Sequence, residues 1–237
     1  MKRFYAFGCS FTCYVWPTWA DIIGKQSLEY QNWARPGSGN FYIFNSLNEC
    51  IMRNKITKDD LVIIMWSSVS REDRYVKGDW IGQGNIYNQS LYDSNFVETL
   101  SDRRGYLLRD LNIISATKKL LDSIGVEYYF LSMMPIGHDE LDEYQNHENT
   151  DLLEFYKDSL AIIRPSVFEI VFNNDWYVKD RKDLHPKPLE FLNYLDNILP
   201  EIPIQKETRD WIHEIDILVT NKKPISKLWI REFPERF

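Results

Sequence analysis

The chain is poor in several features that mark whole classes of protein. Its 237 residues contain three cysteines, Cys9, Cys13 and Cys50, too few for a disulfide framework in a chain of this size. No further cysteine follows Cys9 and Cys13 at short spacing, so the pair does not build a metal or cluster site and reads as two small apolar residues at a strand end. No stretch approaches the roughly 20 apolar residues of a membrane helix. Basic charge is also short: 28 Lys and Arg stand against 35 Asp and Glu, a formal net charge of −7. Phosphate backbones are held by clustered Lys and Arg, so neither nucleic acid nor a membrane is an expected partner. No internal repeat or low-complexity tract appears. His138 and His147 lie in a polar, acidic stretch without recurring ligand spacing, and no metal is implied. Met1-Lys-Arg-Phe-Tyr5 leads straight into a strand-like segment with no apolar leader run, and the expected location is cytoplasmic.

What is present is an ordinary globular composition, 44% hydrophobic and 27% charged, with an unusual 15% of aromatics including eight Trp. Aromatic rings fill cores, and their flat faces also pack on sugar C–H surfaces. Along the chain, strand and helix patterns alternate. Arg3 to Phe7 suits a first strand, followed by a helix from near Pro17 to Gly24 and a short strand over Glu29 to Trp33. Asn40 is placed to cap a helix running to about Lys55, with Phe41, Ile43, Phe44, Leu47 and Ile51 on one face. Leu61 to Trp66 is an apolar run suited to a strand buried on both faces. Residues from about Arg71 to Phe96 lack a period and read as a long functional loop or lid. Tyr106 to Ile124 predicts an amphipathic helix closed by Gly125, then a strand over Val126 to Leu131, a helix over Leu152 to Ile163 and a last strand over Ser166 to Phe172. Pro188 to Leu199 predicts a closing helix, with one short helix near Trp211 and Ile215 beyond it. This order predicts the α/β class: a three-layer αβα sandwich around a mainly parallel, flavodoxin-like sheet. Residues 1–200 form the expected domain, and 201–237 an extension packed on it.

In such sheets the active site lies at the carboxyl ends of the strands. Three segments stand there: Gly8-Cys-Ser-Phe-Thr12, Arg35-Pro-Gly-Ser-Gly-Asn40 and Asp183-Leu-His-Pro186. A serine becomes a nucleophile when a base takes its proton, and a histidine oriented by a carboxylate can do so. Pro186 pushes His185 toward an extended backbone, in which side chains two apart face the same way, so Asp183 and His185 would project together. The Gly-rich turn can offer backbone N–H groups to an oxyanion. Arg71, within a mixed charge run, can hold an anionic group.

These blocks carry a family resemblance. Gly8-Cys-Ser10 followed by Phe-Thr resembles the first block of the SGNH (GDSL-like) hydrolases, which bears the nucleophile. Asn32-Trp-Ala-Arg-Pro-Gly37 resembles the second, whose Gly donates its N–H to the oxyanion hole. Asp183-Leu-His-Pro186 resembles the last, which supplies acid and base. The look is that of small SGNH-type proteins of phages and bacteria, over residues 3 to about 199. The resemblance implies a serine esterase with Ser10 as nucleophile, His185 as base, Asp183 as orienting acid, Gly37 in the oxyanion hole and no cofactor. The favoured substrate is a small acyl ester such as O-acetylated carbohydrate. Two departures qualify it. The family's third block, Gly-x-Asn-Asp, is replaced by Met65-Trp-Ser-Ser-Val-Ser-Arg71, leaving Ser67, Ser68 or Asn40 to supply the missing donor and Trp66 to wall the site. The acid usually lies three residues before the histidine, where this chain has Lys182; Asp180 is the alternative to Asp183. An O-acyltransferase, or a non-catalytic carbohydrate-binding or structural assembly protein on the same fold, are the competing expectations.

Overall fold

The computed structural model describes residues 2–87, 92–138, 150–175 and 183–234. Four parallel strands, β1 (Arg3–Phe7), β2 (Glu29–Asn32), β3 (Leu61–Trp66) and β6 (Glu127–Ser132), form a sheet in the order β2-β1-β3-β6. The registers are continuous across it: Ala6 pairs with Asn32 on one side and Ile63 on the other, and Ile64 pairs with Phe130. Among the described residues, the sheet continues beyond β6 as one parallel bridge, Phe130 to Ile163.

Successive strand side chains point to opposite faces, and this alternation divides the core in two. Phe4, Ala6, Ile63, Met65 and Leu131 face one cluster, with Trp19, Ile22, Phe191, Leu195 and Ile212. These come from helices α1 (Trp19–Lys25), α7 (Pro188–Ile198) and α8 (Lys206–Thr220). Tyr5, Phe7, Val62, Ile64, Trp66 and Phe130 face the other cluster, which is covered by α2 (Asn40–Asn54) and α4 (Arg103–Ile124). Every residue of β3 is buried, as its unbroken apolar run requires. The architecture is the three-layer αβα sandwich with a mainly parallel sheet.

Several local expectations are corrected. Residues 71–85 are not a loop without secondary structure but an antiparallel hairpin, β4 (Arg71–Val76) and β5 (Asp79–Asn85). Its two-residue loop, Lys77-Gly78, has φ of 55° and 86°, the doubly left-handed turn that matches strand twist. The sequence of β4 hid the strand, because its two buried positions, Arg71 and Asp73, carry charged side chains while Arg74, Tyr75 and Val76 face solvent. A helix α3 (Ser94–Leu100) follows. The expected strand at Ser166 to Phe172 is a π-helical turn, Phe168–Phe172. Its start carries a reciprocal Ser-x-x-Glu box: the Ser166 N–H and hydroxyl donate to Glu169 Oε2, and the Glu169 N–H donates to Ser166 Oγ; such a box nucleates helix rather than strand. The helix expected over Leu152 to Ile163 is broken at Tyr156 into α5 (Thr150–Phe155) and α6 (Lys157–Leu160). The N-cap of α2 is Gly39, not Asn40. The capping acceptor comes from the hairpin: Asp73 takes the N–H groups of Gly39 and Tyr42 at 2.8 and 2.9 Å. The C-terminal helix is longer than expected, spanning 15 residues in α8. Among the described residues, no helix is long and apolar enough to cross a membrane.

Candidate active site

The end of β1 turns immediately. The Cys9 carbonyl accepts from the N–H groups of both Thr12 and Cys13 at 3.0 Å, closing a tight turn with half-buried Ser10 at its crest. Two buried side chains fix its far end, since the Thr12 carbonyl accepts from Thr18 Oγ1 at 2.7 Å and Asn32 Nδ2 at 2.8 Å. Gly8 permits the turn. A Cβ there would lie 2.1 Å from Thr12 Oγ1 and 3.2 Å from the Met65 carbonyl.

The second block is tied to the same strand end. Trp33 and Arg35 donate their N–H groups to the carbonyls of Ala6 and Gly8. Gly37 has φ of 78°, a left-handed conformation that favours glycine. Its carbonyl accepts from Gly84 N–H at 2.9 Å, and a Cβ would sit 2.6 Å from the Gly82 carbonyl. The hairpin thus closes on this turn. Arg71, the first hairpin residue, is buried; its Nη1 donates to the Ser38 carbonyl at 3.1 Å and its Nη2 lies 3.7 Å from Met133 Sδ. Cys9 Sγ approaches the same sulfur at 3.9 Å, so Arg71 and the residue before Ser10 share Met133 as a neighbour.

The third block arrives from the loop before α7. His185 Nδ1 lies 2.8 Å from Asp183 Oδ1, which also accepts the His185 backbone N–H at 3.0 Å. With Nδ1–H donated to the carboxylate, the lone pair of the neutral ring lies on Nε2. The imidazole packs on Phe11, the residue after Ser10, with ring centroids 5.1 Å apart. It also stacks on Tyr14 at 3.8 Å and 15°. The Tyr14 hydroxyl donates to Asp183 Oδ2 at 2.6 Å, and Trp16 Nε1 donates to the Pro186 carbonyl at 2.8 Å. Burial alone would raise the Asp183 carboxyl; the Tyr14 hydroxyl, the His185 N–H and the imidazole outweigh it and hold Asp183 below the usual carboxylate range. Burial, reinforced by Asp183, raises the Tyr14 phenol, so it remains a donor at neutral pH.

No protein-family model matches the chain, and no curated protein matches it in sequence. Two solved structures resemble it in chain trace. One, from Bacteroides fragilis NCTC 9343, is assigned as an acylhydrolase; it is 12% identical over 89% of this chain and 88% of its own, with a TM-score of 0.48. The other is a GDSL-like lipase from Bacteroides thetaiotaomicron VPI-5482, 13% identical over 96% of this chain and 89% of its own, with a TM-score of 0.37. Neither likeness carries a residue role across.

The structure brings the three blocks to one sheet edge and joins Asp183 to His185. No hydrogen bond links Ser10 Oγ to His185 among the described residues. Asp180 and Lys182 lie outside those residues. Asn40 is fully buried: Nδ2 donates to the Ser67 carbonyl at 3.1 Å and Asp110 Oδ2 at 2.7 Å, and Oδ1 accepts the Ser67 N–H at 2.7 Å. Ser67 Oγ is buried without a hydrogen-bond partner, and Ser68 Oγ accepts from Ser70 N–H at 3.4 Å. Trp66 is in the core, edge-on to Phe130 at 5.3 Å. Tyr14 and Trp16 are not among the site residues that the sequence motifs mark. The signal available was their alternation, two aromatics flanking Val15 just after the serine turn.

Proposed function

We propose that the chain is a serine esterase of the SGNH type, acting on a small acyl ester, with O-acetylated carbohydrate as the favoured substrate. The observation that carries this reading is the 2.8 Å Asp183–His185 contact, held against the residue that follows Ser10. In the reaction Ser10 Oγ attacks the ester carbonyl while His185 Nε2 takes its proton. The proton passes to the leaving alkoxide, and a water activated by the same nitrogen releases the acid from the acyl-serine. Asp183 holds the ring tautomer and balances the imidazolium. The Ser10 and Gly37 N–H groups face the oxyanion. Tyr14 and Trp16, beside the histidine, offer rings on which a sugar can rest.

A fluorophosphonate tests this directly, because it labels a serine only where a base activates it. The expected result is one adduct, at Ser10, lost in Ser10→Ala together with turnover of p-nitrophenyl acetate. Added sugar acceptors separate hydrolysis from transfer by the product formed.

The commitment of both Asn40 Nδ2 protons favours a second reading, a non-catalytic binding protein on this fold. Loss of one oxyanion donor costs roughly 10²–10³ in rate. Clean protein without an adduct supports that reading and ends the first.

A further inference from the structure

The contacts that support His185 do not end at Tyr14 and Trp16. The tail after α8 folds back across α1, and Trp211 Nε1 anchors it by donating to the Leu228 carbonyl at 3.2 Å. Three residues further on, the Arg231 side chain is inserted into the domain, only 8% exposed, against Asp21 at 4%. Nη2 donates to Asp21 Oδ2 at 2.7 Å. Nη1 donates to the Tyr14 carbonyl and lies 3.1 Å from Cys13 Sγ, and Nη2 reaches the Trp16 carbonyl at 3.5 Å.

The two carbonyls gripped by this guanidinium belong to the two residues whose side chains hold the third block. Tyr14 presents its carbonyl to Arg231, its ring to His185 and its hydroxyl to Asp183; Trp16 presents its carbonyl to Arg231 and its indole to Pro186. The fork geometry of a guanidinium suits this, because one rigid planar group satisfies a carboxylate and nearby carbonyls together. Asp21 fixes the other side of the clamp: it accepts from Thr18 N–H at 2.8 Å and Tyr30 hydroxyl at 3.2 Å, so the guanidinium is anchored to the start of α1, which is itself packed on the sheet.

We propose that Arg231 is a positioning residue for the Asp183–His185 pair, so that the C-terminal tail is a working part of the active site through the loop 13–17. The proposal rests on the esterase reading for its kinetic consequence, but not for its geometric one. Ring stacking makes the geometric part visible on its own. An imidazole C–H lying over the Tyr14 face is shifted upfield by the ring current, and it moves downfield when the stack loosens.

The test uses the full chain and records the His185 imidazole resonances, assigned by their disappearance in His185→Gln. Tyr14→Leu sets the unstacked position. The variants are Arg231→Lys, Arg231→Gln and the double change Asp21→Asn/Arg231→Gln, which leaves no unpaired charge buried and so protects the fold. Arg209→Gln, which removes a half-exposed ion pair with Asp196 at the α7–α8 surface, is the control. The expected result is a downfield shift in the double variant toward the Tyr14→Leu position, a smaller one in Arg231→Lys, and none in Arg209→Gln. With an activated acetyl ester, kcat falls about tenfold or more while KM stays within about twofold, as expected when a catalytic group is misplaced and substrate binding is kept. A His185 resonance unmoved in the folded double variant overturns the proposal, as does an unchanged kcat in an enzyme that turns over the ester. A wild-type protein inert to ester and fluorophosphonate ends the esterase reading alone, and the resonance still decides the role of Arg231.

Discussion

Tyr14 lies nearly parallel to the imidazole of His185, with centroids 3.8 Å apart, while its hydroxyl donates to the far oxygen of the carboxylate that orients that imidazole. One side chain therefore contacts both members of the pair, from a position only four residues after Ser10.

Replacing Tyr14 by Phe keeps the ring and removes the donor to Asp183. The expected kcat loss is about tenfold, smaller than the roughly 10²–10⁴ that a general base itself contributes; Tyr14→Leu, which also abolishes the stack, falls further. The same change has a signature in stability. Asp183 is held below its ordinary value in the folded chain, so its contribution is present above the unfolded carboxylate pKa and is lost as pH falls through the folded one. The Tm difference between wild type and Tyr14→Phe is therefore expected at pH about 6 and shrinks below about pH 4. A difference that grows on acidification would contradict the assigned role.

Gly8 is the position at which the serine turn tolerates least. A methyl group there meets Thr12 Oγ1 and Cβ at 2.1 and 2.8 Å, and Thr12 cannot swing away freely because its hydroxyl accepts from Trp19 Nε1. Gly8→Ala is expected to cost about 1–3 kcal/mol in urea unfolding, the range for overpacking a filled site. Fluorophosphonate labelling of Ser10 should slow even where the variant remains folded. A variant with wild-type stability and labelling rate would show that the turn has slack.

Burial pushes Asp73 and Asp110 up to about 6, against the opposing pull of the Gly39 N–H on Asp73 and of Arg109 on Asp110. Because these folded pKa values lie above the unfolded ones, the native state binds more protons between about pH 4 and 6, and both groups make stability fall as pH rises through that window. Asp60 and Asp183, shifted the other way, are ionised in both states above about pH 5 and add almost no slope between about pH 5 and 7. Thermal melts should give a lower Tm at pH 7 than at pH 5. Asp110→Asn should lower Tm at every pH by removing the Arg109 partner, yet flatten the slope. An unflattened slope would remove Asp110 from the account.

Much of the scaffold was legible because its causes are local. Leu61 to Trp66 announces a doubly buried strand by composition alone, and the long helix ending at Gly125 is marked by its period and its left-handed cap. The three chemical blocks were legible for the same reason, each being a short segment at the end of a strand or before a helix. The hairpin is not legible because its buried positions are the polar Arg71, Asp73 and Asn85 while Tyr75, Val76 and Ile81 are exposed, so hydrophobic alternation has nothing to report. The π-helical turn is hidden in the sequence because Phe168, Ile170, Val171 and Phe172 are strand-like residues, and the Ser166–Glu169 box overrules them.

The sequence by itself determined the layered α/β sandwich, since alternating and helical periods are properties of neighbouring residues. It also marked the residues to which the proposed chemistry is assigned, since Ser10, the Gly37 turn and the Asp183–His185 pair sit in short motifs. Only the tertiary structure decided what holds them. Asp73 caps a helix 34 positions away, Tyr14 meets Asp183 across 169, and Arg231 reaches Tyr14 across 217. Hydrogen bonds and stacking act over a few ångströms in space and leave no period along the chain, so no local pattern could have announced these partners.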